Sequence, residues 1–460
     1  MCLMNKELKQ EEQKNENKPV VYGRKKIFVR HVWGIFQKKR WISFTFFASL
    51  FYILPWIRIN GRQPLLFDIP ARKFHIFNVT IWPQEIYLLT LTLITAAIGL
   101  FFSTAVVGRV WCGYLCPQTV FTSIFLEIER LILGDRPAQM KLAKVPMTFN
   151  KFIKLMLRNI IWGIIAIFTG FTFMSYFIPN NELIDRIING NLSGWALFWF
   201  ILISVFTFFD AGFFREQFCL VPCPYGRFQG ALQDPNSLVV TYDKKRGEGN
   251  KNLGIKGDCI NCNLCVQVCP TGIDIRNGAQ FECIGCARCI DVCAIVQQKK
   301  GRSPDLIRYA SENEMKGLKT KIIRPRLIIY AAILTFLISF ILFKIITRPG
   351  FDIEITKNRS LMYQKMPDGS ISNMYFVKVL NMSEEEQMYM IKLKDLDGSI
   401  ITGENPLKVK SGDVHDLTLT VVSKPISNEA ISKFSLVLER IDEKGKGKSV
   451  EERTTFLYHE

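Results

Sequence analysis

The sequence predicts a multidomain membrane protein. An α-helical bundle of five transmembrane helices should carry a cysteine-rich insert before the fifth helix and a C-terminal immunoglobulin-like β-sandwich. Five apolar stretches have the length needed to cross a bilayer, and the one acidic residue among them is Asp210, near the end of the fourth. Two compact cysteine runs lie between the fourth and fifth stretches. The last 110 residues alternate apolar and polar residues in short segments, as half-buried strands do.

The predicted spans follow one another through the first three quarters of the chain. They are residues 41–57, 86–108, 159–178, 195–213 and 327–346. The first is marginally short for a bilayer. The short loop 58–85 contains three prolines, so we expect an ordered cap on the outer face.

The spans divide the chain into five predicted regions. These are a basic N-terminal segment (1–40), spans one to four (41–239), a ferredoxin-like domain (240–310), a linker with span five (311–346) and an outer domain (347–460).

Positive charge follows the predicted membrane topology. The formal net charge is +18. Residues 1–40, 109–158 and 214–326 contain 11, 8 and 18 Lys and Arg, whereas loops 58–85 and 179–194 contain 4 and 1. The positive-inside rule therefore places the N-terminus and the cysteine runs in the cytoplasm of a multi-pass inner-membrane protein, with the C-terminal domain in the periplasm. This distribution accounts for the charge, and we expect no nucleic-acid partner.

The two cysteine runs have the spacing of a bacterial two-cluster ferredoxin. Each run supplies three thiolates to one [4Fe–4S] cluster and a fourth to the other cluster. The first cluster is predicted on Cys259, Cys262, Cys265 and Cys293. The second is predicted on Cys283, Cys286, Cys289 and Cys269. Zinc sites or disulfides are the alternatives, but zinc sites usually combine two separated Cys-x2-Cys pairs. We therefore expect one-electron chemistry.

A second pair of cysteine motifs follows spans two and four. Cys112 and Cys116 form one Cys-x3-Cys-Pro motif, and Cys219 and Cys223 form the other. If each pair lay on a helix at positions i and i+4, its thiols would share a face, and the two pairs could converge. We call these four residues the cysteine quartet.

Three interpretations of the cysteine quartet remain open. Buried cysteine in membrane proteins is commonly inert. A duplicated set of four thiolates also suits a soft metal such as copper(I), or a redox-active thiol relay near the clusters. The spacing does not choose among these interpretations. A stable disulfide is disfavoured on the reducing face of the membrane.

Other cofactors are disfavoured by what the chain lacks. None of its four histidines, His31, His75, His415 and His459, lies in a predicted span, which excludes bis-histidine haem b there. His75 is a lone loop histidine, for which a structural role is the simpler expectation. No glycine-rich dinucleotide loop or P-loop follows a strand. The predicted outer domain, of about seven short strands, has no catalytic motif.

Together these motifs resemble one family, the cytochrome c oxidase accessory proteins called CcoG, FixG or RdxA. The resemblance covers nearly the whole chain. It includes the cysteine motifs and the strings LPWIR (54–58), NGRQ (60–63), FDIPARKFHIF (67–77), GRVWCGYLCPQT (108–119), GIDIRNG (272–278) and ECIGCARCID (282–291). The cysteine motifs alone also resemble membrane polyferredoxins of the NapH and NosR kind.

The resemblance implies a function in assembling cbb3-type cytochrome oxidase. A member would reduce Cu(II) to Cu(I), which makes it a cupric reductase, and would form a homodimer that works with oxidase subunits or copper chaperones and transporters. The cysteine quartet is then the candidate copper or redox site, with electrons coming from a cytoplasmic donor. Two alternatives are a NapH-like electron carrier linked to quinol and a non-enzymatic assembly scaffold.

Overall fold

The computed structural model describes residues 27–59, 61–77, 79–250, 255–357, 363–383, 385–402, 405–424, 431–441 and 448–458. It divides into two compact units, residues 1–337 and 338–460, which are described separately. Most of the predicted basic N-terminal segment, together with Cys2 and His459, lies outside the described residues.

Helices dominate the first unit. The helices are Ile35–Ile53, Ile86–Val107, Val110–Tyr114, Pro117–Leu133, Arg136–Lys144, Phe149–Met174, Asn180–Ile188, Gly194–Phe209, Glu216–Leu220, Pro224–Leu232, Lys244–Glu248, Leu264–Gln267, Arg288–Lys299, Glu312–Met315 and Pro325–Thr347. A π-helical segment, Asp210–Phe214, continues the helix that begins at Gly194.

Four helices of the described chain are long and apolar enough to cross a membrane. They are Ile86–Val107, Phe149–Met174, Gly194–Phe214 and Pro325–Thr347. The first predicted span falls on helix Ile35–Ile53 and the 3-10 turn after it, and it does not join this set. The reason is local, because Lys38, Lys39 and Arg40 occupy the early turns of that helix. Four apolar helices are therefore established, and the fifth span stays a prediction.

The N-terminus of helix Ile35–Ile53 is capped by a residue distant in sequence. The Asp291 carboxylate accepts hydrogen bonds from the backbone N–H groups of Phe36 (3.1 Å) and Gln37 (2.8 Å). First-turn N–H groups have no partner within their own helix, so a carboxylate satisfies them and also suits the positive end of the helix dipole. Asp291 belongs to helix Arg288–Lys299 of the second cysteine run. This contact ties the first helix to the cluster region.

The loop between the first two helices is ordered. It forms a three-stranded antiparallel sheet of Leu65–Asp68, Lys73–Ile76 and Val79–Ile81. The Phe67 backbone N–H donates to the Tyr176 carbonyl at 2.7 Å, which attaches the sheet to the end of helix Phe149–Met174. His75 shares a hydrogen bond with Thr80 across two of the strands. That contact fits the structural role expected of His75.

Two short strands frame the cysteine-rich insert. Val239–Tyr242 pairs antiparallel with Ile307–Ala310, so the chain enters and leaves the insert side by side. A smaller pair joins Gly249–Asn250 to Ile255–Lys256. Most of the insert itself is loop and short helix, which leaves its fold dependent on contacts around the cysteines.

The second unit is the predicted β-sandwich. One sheet has the order Gly398–Thr402, Val414–Ser423, Ile371–Asn381, Phe351–Lys357, with Gln364–Lys365 also pairing to Ile371–Asn381. The other has the order Leu407–Val409, Gln387–Lys394, Ile431–Arg440, Ser449–Leu457. A buried core of large side chains such as Tyr375, Tyr389, Phe434 and Phe456 lies within this unit. The described residues form nine strands where the sequence predicts about seven, because Gln364–Lys365 and Leu407–Val409 are too short to show a pattern.

A buried ion network joins three helical segments of the first unit. Glu129 is fully buried and accepts from Arg158 (3.2 Å) and Arg215 (2.5 Å). The Arg158 guanidinium also lies over the ring of buried Trp162. A buried ion pair adds little net stability over an apolar equivalent, but removal of one partner leaves an uncompensated charge.

We therefore predict that Glu129→Gln lowers the free energy of unfolding by about 3 kcal/mol, since buried Arg158 and partly buried Arg215 lose their counter-ion. The measurement is the thermal unfolding midpoint in detergent. Glu182→Gln is the matched control, because Glu182 pairs with Arg186 in an exposed i,i+4 contact that is worth only about 0.5 kcal/mol. Equal midpoints for the two variants would contradict this prediction.

Candidate iron–sulfur and thiol sites

The eight cysteines of the insert surround two neighbouring cavities. The first cavity has an empty volume of about 400 Å³, and its cysteines are Cys259, Cys262, Cys265 and Cys293. The second has about 350 Å³, and its cysteines are Cys265, Cys269, Cys283, Cys286 and Cys289. Each run thus sends its last cysteine to the cavity of the other run. This grouping supports the predicted ligand sets, which stay predictions.

The two runs have the same local backbone geometry. Asn263 (φ 54°, ψ 17°) and Ala287 (φ 58°, ψ 13°) both directly follow the second cysteine of their run in the left-handed conformation. Each then begins a helix, Leu264–Gln267 or Arg288–Lys299, that carries the third cysteine. The left-handed residue turns the chain so that the loop cysteines and the helix cysteine face one point. Asn adopts this conformation more readily than Ala does.

The chemistry of the donors fits iron–sulfur clusters. Burial raises the pKa of the Cys265, Cys269 and Cys289 thiols, and it raises those of Cys283 and Cys293 to about 12. Without bound iron such thiols stay protonated, whereas a cluster binds them as thiolates. Among the described residues, no group of three or more His, Cys, Asp and Glu side chains is arranged to hold a single metal ion. Cysteine thiolates are the ligands that hold iron–sulfur clusters.

The two Cys-x3-Cys-Pro motifs repeat one backbone conformation. Gly108 (φ 54°, ψ −123°) follows the first apolar helix, and Arg215 (φ 50°, ψ −128°) follows the third. A five-residue helix follows each of these residues. It carries the first cysteine of the pair, Cys112 or Cys219, which lies four residues after Gly108 or Arg215. The internal repeat seen in the sequence is thus also a repeat in three dimensions.

The expectation that each pair shares one helix face is wrong. The short helices end at Tyr114 and Leu220, and the second cysteines, Cys116 and Cys223, cap the next helices from extended conformations. A proline follows each of them, and proline disfavours helical geometry in the residue before it. The pairs are therefore presented by a helix–turn–helix unit.

The cysteine quartet nevertheless converges. Burial raises the pKa of Cys112 to about 12, and it also raises the pKa values of Cys116 and Cys219. The Cys112 thiol donates to Gln229 Oε1 at 3.6 Å, and Gln229 lies on the helix that Cys223 caps. Arg109 of the first repeat also donates to the Gly226 carbonyl of that helix at 2.7 Å. The two repeats therefore meet at their cysteine motifs, and all four thiols are half-buried.

The first of these turns packs directly on the second cluster loop. A Cβ atom on Gly113 would lie 2.9 Å from the Gly285 carbonyl oxygen, so only glycine fits there. The buried Arg40 side chain donates to the Gly113 carbonyl at 2.9 Å, and Tyr309 Oη donates to the Gly285 carbonyl at 2.7 Å. Arg109 donates to the carbonyls of Phe281 and Gly226. Direct backbone contact thus joins the cysteine quartet to the predicted second cluster.

Sequence reasoning missed the residues that make this junction. Arg40 and Tyr309 lie far from the quartet motifs in sequence, and no local pattern marks them, whereas Asp291 appears only as the last residue of the string 282–291. Gln229, which contacts Cys112, was visible only as one glutamine after the second motif.

A larger cavity opens beside the second cluster loop. It has an empty volume of about 740 Å³ and is lined by Val107, Arg109, Phe281, Cys283 and Tyr309, among others. It combines aromatic and apolar walls with one guanidinium. A flat organic molecule with a polar edge would suit this lining.

The fold and the cysteine geometry define a membrane-associated ferredoxin-type electron-transfer protein. Residues 89–132 match a family model described as a 4Fe-4S binding domain, and residues 214–256 and 250–312 match a 4Fe-4S dicluster domain. Residues 341–459 match an Ig-like fold at the C-terminus of FixG.

Curated relatives match most of the chain. It is 35% identical over 399 residues to protein RdxA of Cereibacter sphaeroides, covering 83% of this chain and 84% of that protein. It is 34% identical over 423 residues to nitrogen fixation protein FixG of Rhizobium meliloti, covering 82% and 81%. The chain therefore belongs to the FixG/RdxA family, which confirms the resemblance seen in the sequence.

More distant matches cover parts of the chain. The methylamine utilization ferredoxin-type protein MauN of Methylorubrum extorquens is 25% identical over 183 residues, covering 38% of this chain and 53% of that protein. The crystal structure of a FixG-related protein from Vibrio parahaemolyticus aligns with a TM-score of 0.21 and 23% identity, covering 24% of this chain and 95% of that one.

The exchange of the last cysteine between runs gives a test of the ligand sets. We predict that Cys293→Ser removes the cluster of the first run and Cys269→Ser that of the second, so each variant loses about four irons per chain. Iron analysis and EPR of the reduced protein measure this, and the two variants should lose different signals. Loss of the same signal in both variants would contradict the exchange.

Proposed function

We propose that this FixG-like iron–sulfur electron-transfer protein reduces Cu(II) to Cu(I) during assembly of cbb3-type cytochrome oxidase. Cu(II) is the substrate, and each ion takes one electron, which a cytoplasmic donor loses. When bound, the clusters supply one-electron redox chemistry at a site that the insert holds. The observation that supports this proposal most directly is the backbone contact between Gly113 and Gly285.

That contact bears on function because it joins two groups of redox-active cysteines. The Cys112–Cys116 turn lies directly against the loop that contains Cys283 and Cys286, with no side chain between them at Gly113. Arg40 donates a hydrogen bond to the Gly113 carbonyl of the turn, and Arg109 donates one to the Phe281 carbonyl, just before Cys283. The cysteine quartet is thus the proposed point from which electrons leave toward copper.

We predict that serine at all four quartet positions abolishes Cu(I) formation, because the route from the insert then ends without a redox-active group. The assay follows Cu(I) with a chromogenic chelator after anaerobic addition of Cu(II) to the reduced protein, alongside the reoxidation of its visible absorption. Gly113→Ala should slow Cu(I) formation, since the added Cβ forces the turn away from Gly285. Gly99→Ala is the matched control, because its Cβ would meet open space in an apolar helix.

The iron content of each variant is measured together with its rate of Cu(I) formation, so that loss of the insert clusters is distinguished from loss of the cysteine quartet. If the serine variant keeps the iron of the insert and still forms Cu(I) at the normal rate, electrons do not leave the protein for copper through the cysteine quartet. If variants of the insert cysteines fold and still support oxidase assembly, the protein acts as a scaffold and the redox proposal is wrong.

The 740 Å³ cavity favours a second candidate function. A quinol could enter between Phe281 and Tyr309, next to Cys283, and exchange electrons there. The protein would then serve as a NapH-like carrier between quinol and another reductase. Reoxidation of the reduced protein by a soluble quinone but not by Cu(II) would favour this function.

We further propose five spans in the inner membrane, with helix Ile35–Ile53 and its following turn as the first. Its exposed apolar residues, such as Ile42 and Phe46, support this proposal. The distribution of Lys and Arg supports a cytoplasmic insert and a periplasmic β-sandwich. The proposed partners are oxidase subunits or copper chaperones outside, a reductant inside and a second copy of the chain.

Reporter fusions test this topology. With five spans we predict fluorescence from a GFP fused to the N-terminus, because GFP folds in the cytoplasm, and activity from alkaline phosphatase fused to the C-terminus. Four spans would place the two ends on the same side of the membrane. A dark N-terminal fusion together with an active C-terminal one would therefore overturn the first span.

A further inference from the structure

The cysteine quartet contains four thiols, and electron transfer from it to copper does not by itself account for that number. Each repeat contributes two cysteines, one on a five-residue helix and one at the cap of the next helix. Each predicted insert cluster likewise has four cysteine ligands and no histidine or carboxylate. The quartet therefore shares the donor chemistry of an iron–sulfur site.

A buried amide beside the cysteine quartet lacks a partner. Gln229 is fully buried, its Oε1 accepts from Cys112 Sγ at 3.6 Å, and its Nε2 has no hydrogen-bond partner. A buried donor without an acceptor costs about 1–3 kcal/mol, so such a group indicates something that the site binds. Sulfur atoms of a bound group would accept the Nε2 hydrogens.

Two helix N-termini meet the cysteine quartet. Cys116 caps the 17-residue helix Pro117–Leu133, and Cys223 caps the nine-residue helix Pro224–Leu232. The positive ends of both helix dipoles therefore lie at cysteine ligands, which favours an anionic group. The Arg109 guanidinium adds positive charge close to Cys112. A cubane with four thiolates carries net negative charge and suits this field.

The matches to known families divide the cysteines in the same way. The 4Fe-4S binding domain match at 89–132 contains only Cys112 and Cys116, and the first dicluster match at 214–256 contains only Cys219 and Cys223. Two cysteines are too few for a cubane, but the structure brings the two pairs together.

We propose that Cys112, Cys116, Cys219 and Cys223 bind a third [4Fe–4S] cluster, with Gln229 donating to its sulfur. The cluster explains the four-thiol composition, the partnerless amide and the paired helix termini with one ligand. It replaces the interpretation of the cysteine quartet as a copper site. Copper would then be reduced as a substrate without being bound by the four thiolates.

Metal analysis of the full-length protein tests this proposal. The protein is purified anaerobically in detergent without added copper, and iron, acid-labile sulfide, copper and zinc are measured per chain. We expect about twelve irons in the native protein and about eight in the variant with serine at all four quartet positions. EPR of the reduced native protein should contain a signal that this variant lacks, while the signals of the two insert clusters remain.

Gln229→Leu provides a second readout if the serine variant does not fold. It keeps all four thiolates, so iron should stay near twelve, but the potential of the additional signal should fall, since a hydrogen bond to sulfur stabilises the reduced cluster. An unchanged potential would exclude Gln229 from the site.

Each other result overturns the proposal. About eight irons in the native protein with one copper or zinc, lost in the serine variant, would establish a single-ion site. Eight irons with no other metal would leave free thiols. The metal count uses no copper substrate, so it can fail while Cu(II) reduction holds, and it can succeed while Cu(II) reduction fails.

Discussion

The first unit depends on a contact between two backbone turns that leaves no room for a side chain. Gly113 lies against Gly285, and Gly285 itself has a positive φ of 66° with the Arg109 carbonyl beside its Cα. The Cys112–Cys116 turn is therefore in direct backbone contact with the second cluster loop. Arg40 and Tyr309 then satisfy the carbonyls that the contact brings together. Arg40 lies on the first helix, and Asp291 of the second cysteine run caps that helix. These two contacts hold the first helix against the same region.

The two copies of the repeat differ in the residue that adopts the positive φ at the end of the apolar helix. Both apolar helices must end with a residue near φ +50° so that the chain turns back toward its partner motif. Gly108 adopts this conformation without strain, whereas the Arg215 backbone is strained there because Arg215 has a Cβ. The Arg215 guanidinium reaches the buried Glu129 at 2.5 Å, and its Nε donates to the Gly212 carbonyl at 2.9 Å. The buried ion network thus holds a strained residue that positions Cys219.

Local patterns in the sequence predicted what is local in the structure. The cysteine spacing gave the cluster loops, the hydropathy gave four apolar helices, and the alternation gave the β-sandwich. The spacing of four suggested one continuous helix for each quartet pair, but the prolines that follow Cys116 and Cys223 disfavour helical geometry there, and a new helix begins at Pro117 and at Pro224. Contacts between residues more than 70 positions apart, such as Arg40 with Gly113 and Asp291 with Gln37, left no local signal. Those contacts join the first helix to the Cys112–Cys116 turn and to the helix of the second cysteine run.

Buried Arg40 links cluster binding to the stability of the whole region. Its guanidinium donates to three neutral acceptors: Gly113 O, Gln37 Oε1 and Ser123 Oγ. The Cys286 thiol of the second cluster loop lies close to it. A buried cation with only neutral partners is costly, and its cost falls when negative charge lies close by. Thiolates bound in clusters supply that charge next to Arg40, so the first helix, the quartet turn and the cluster loop should be stable as one unit only when the cysteines are bound to iron.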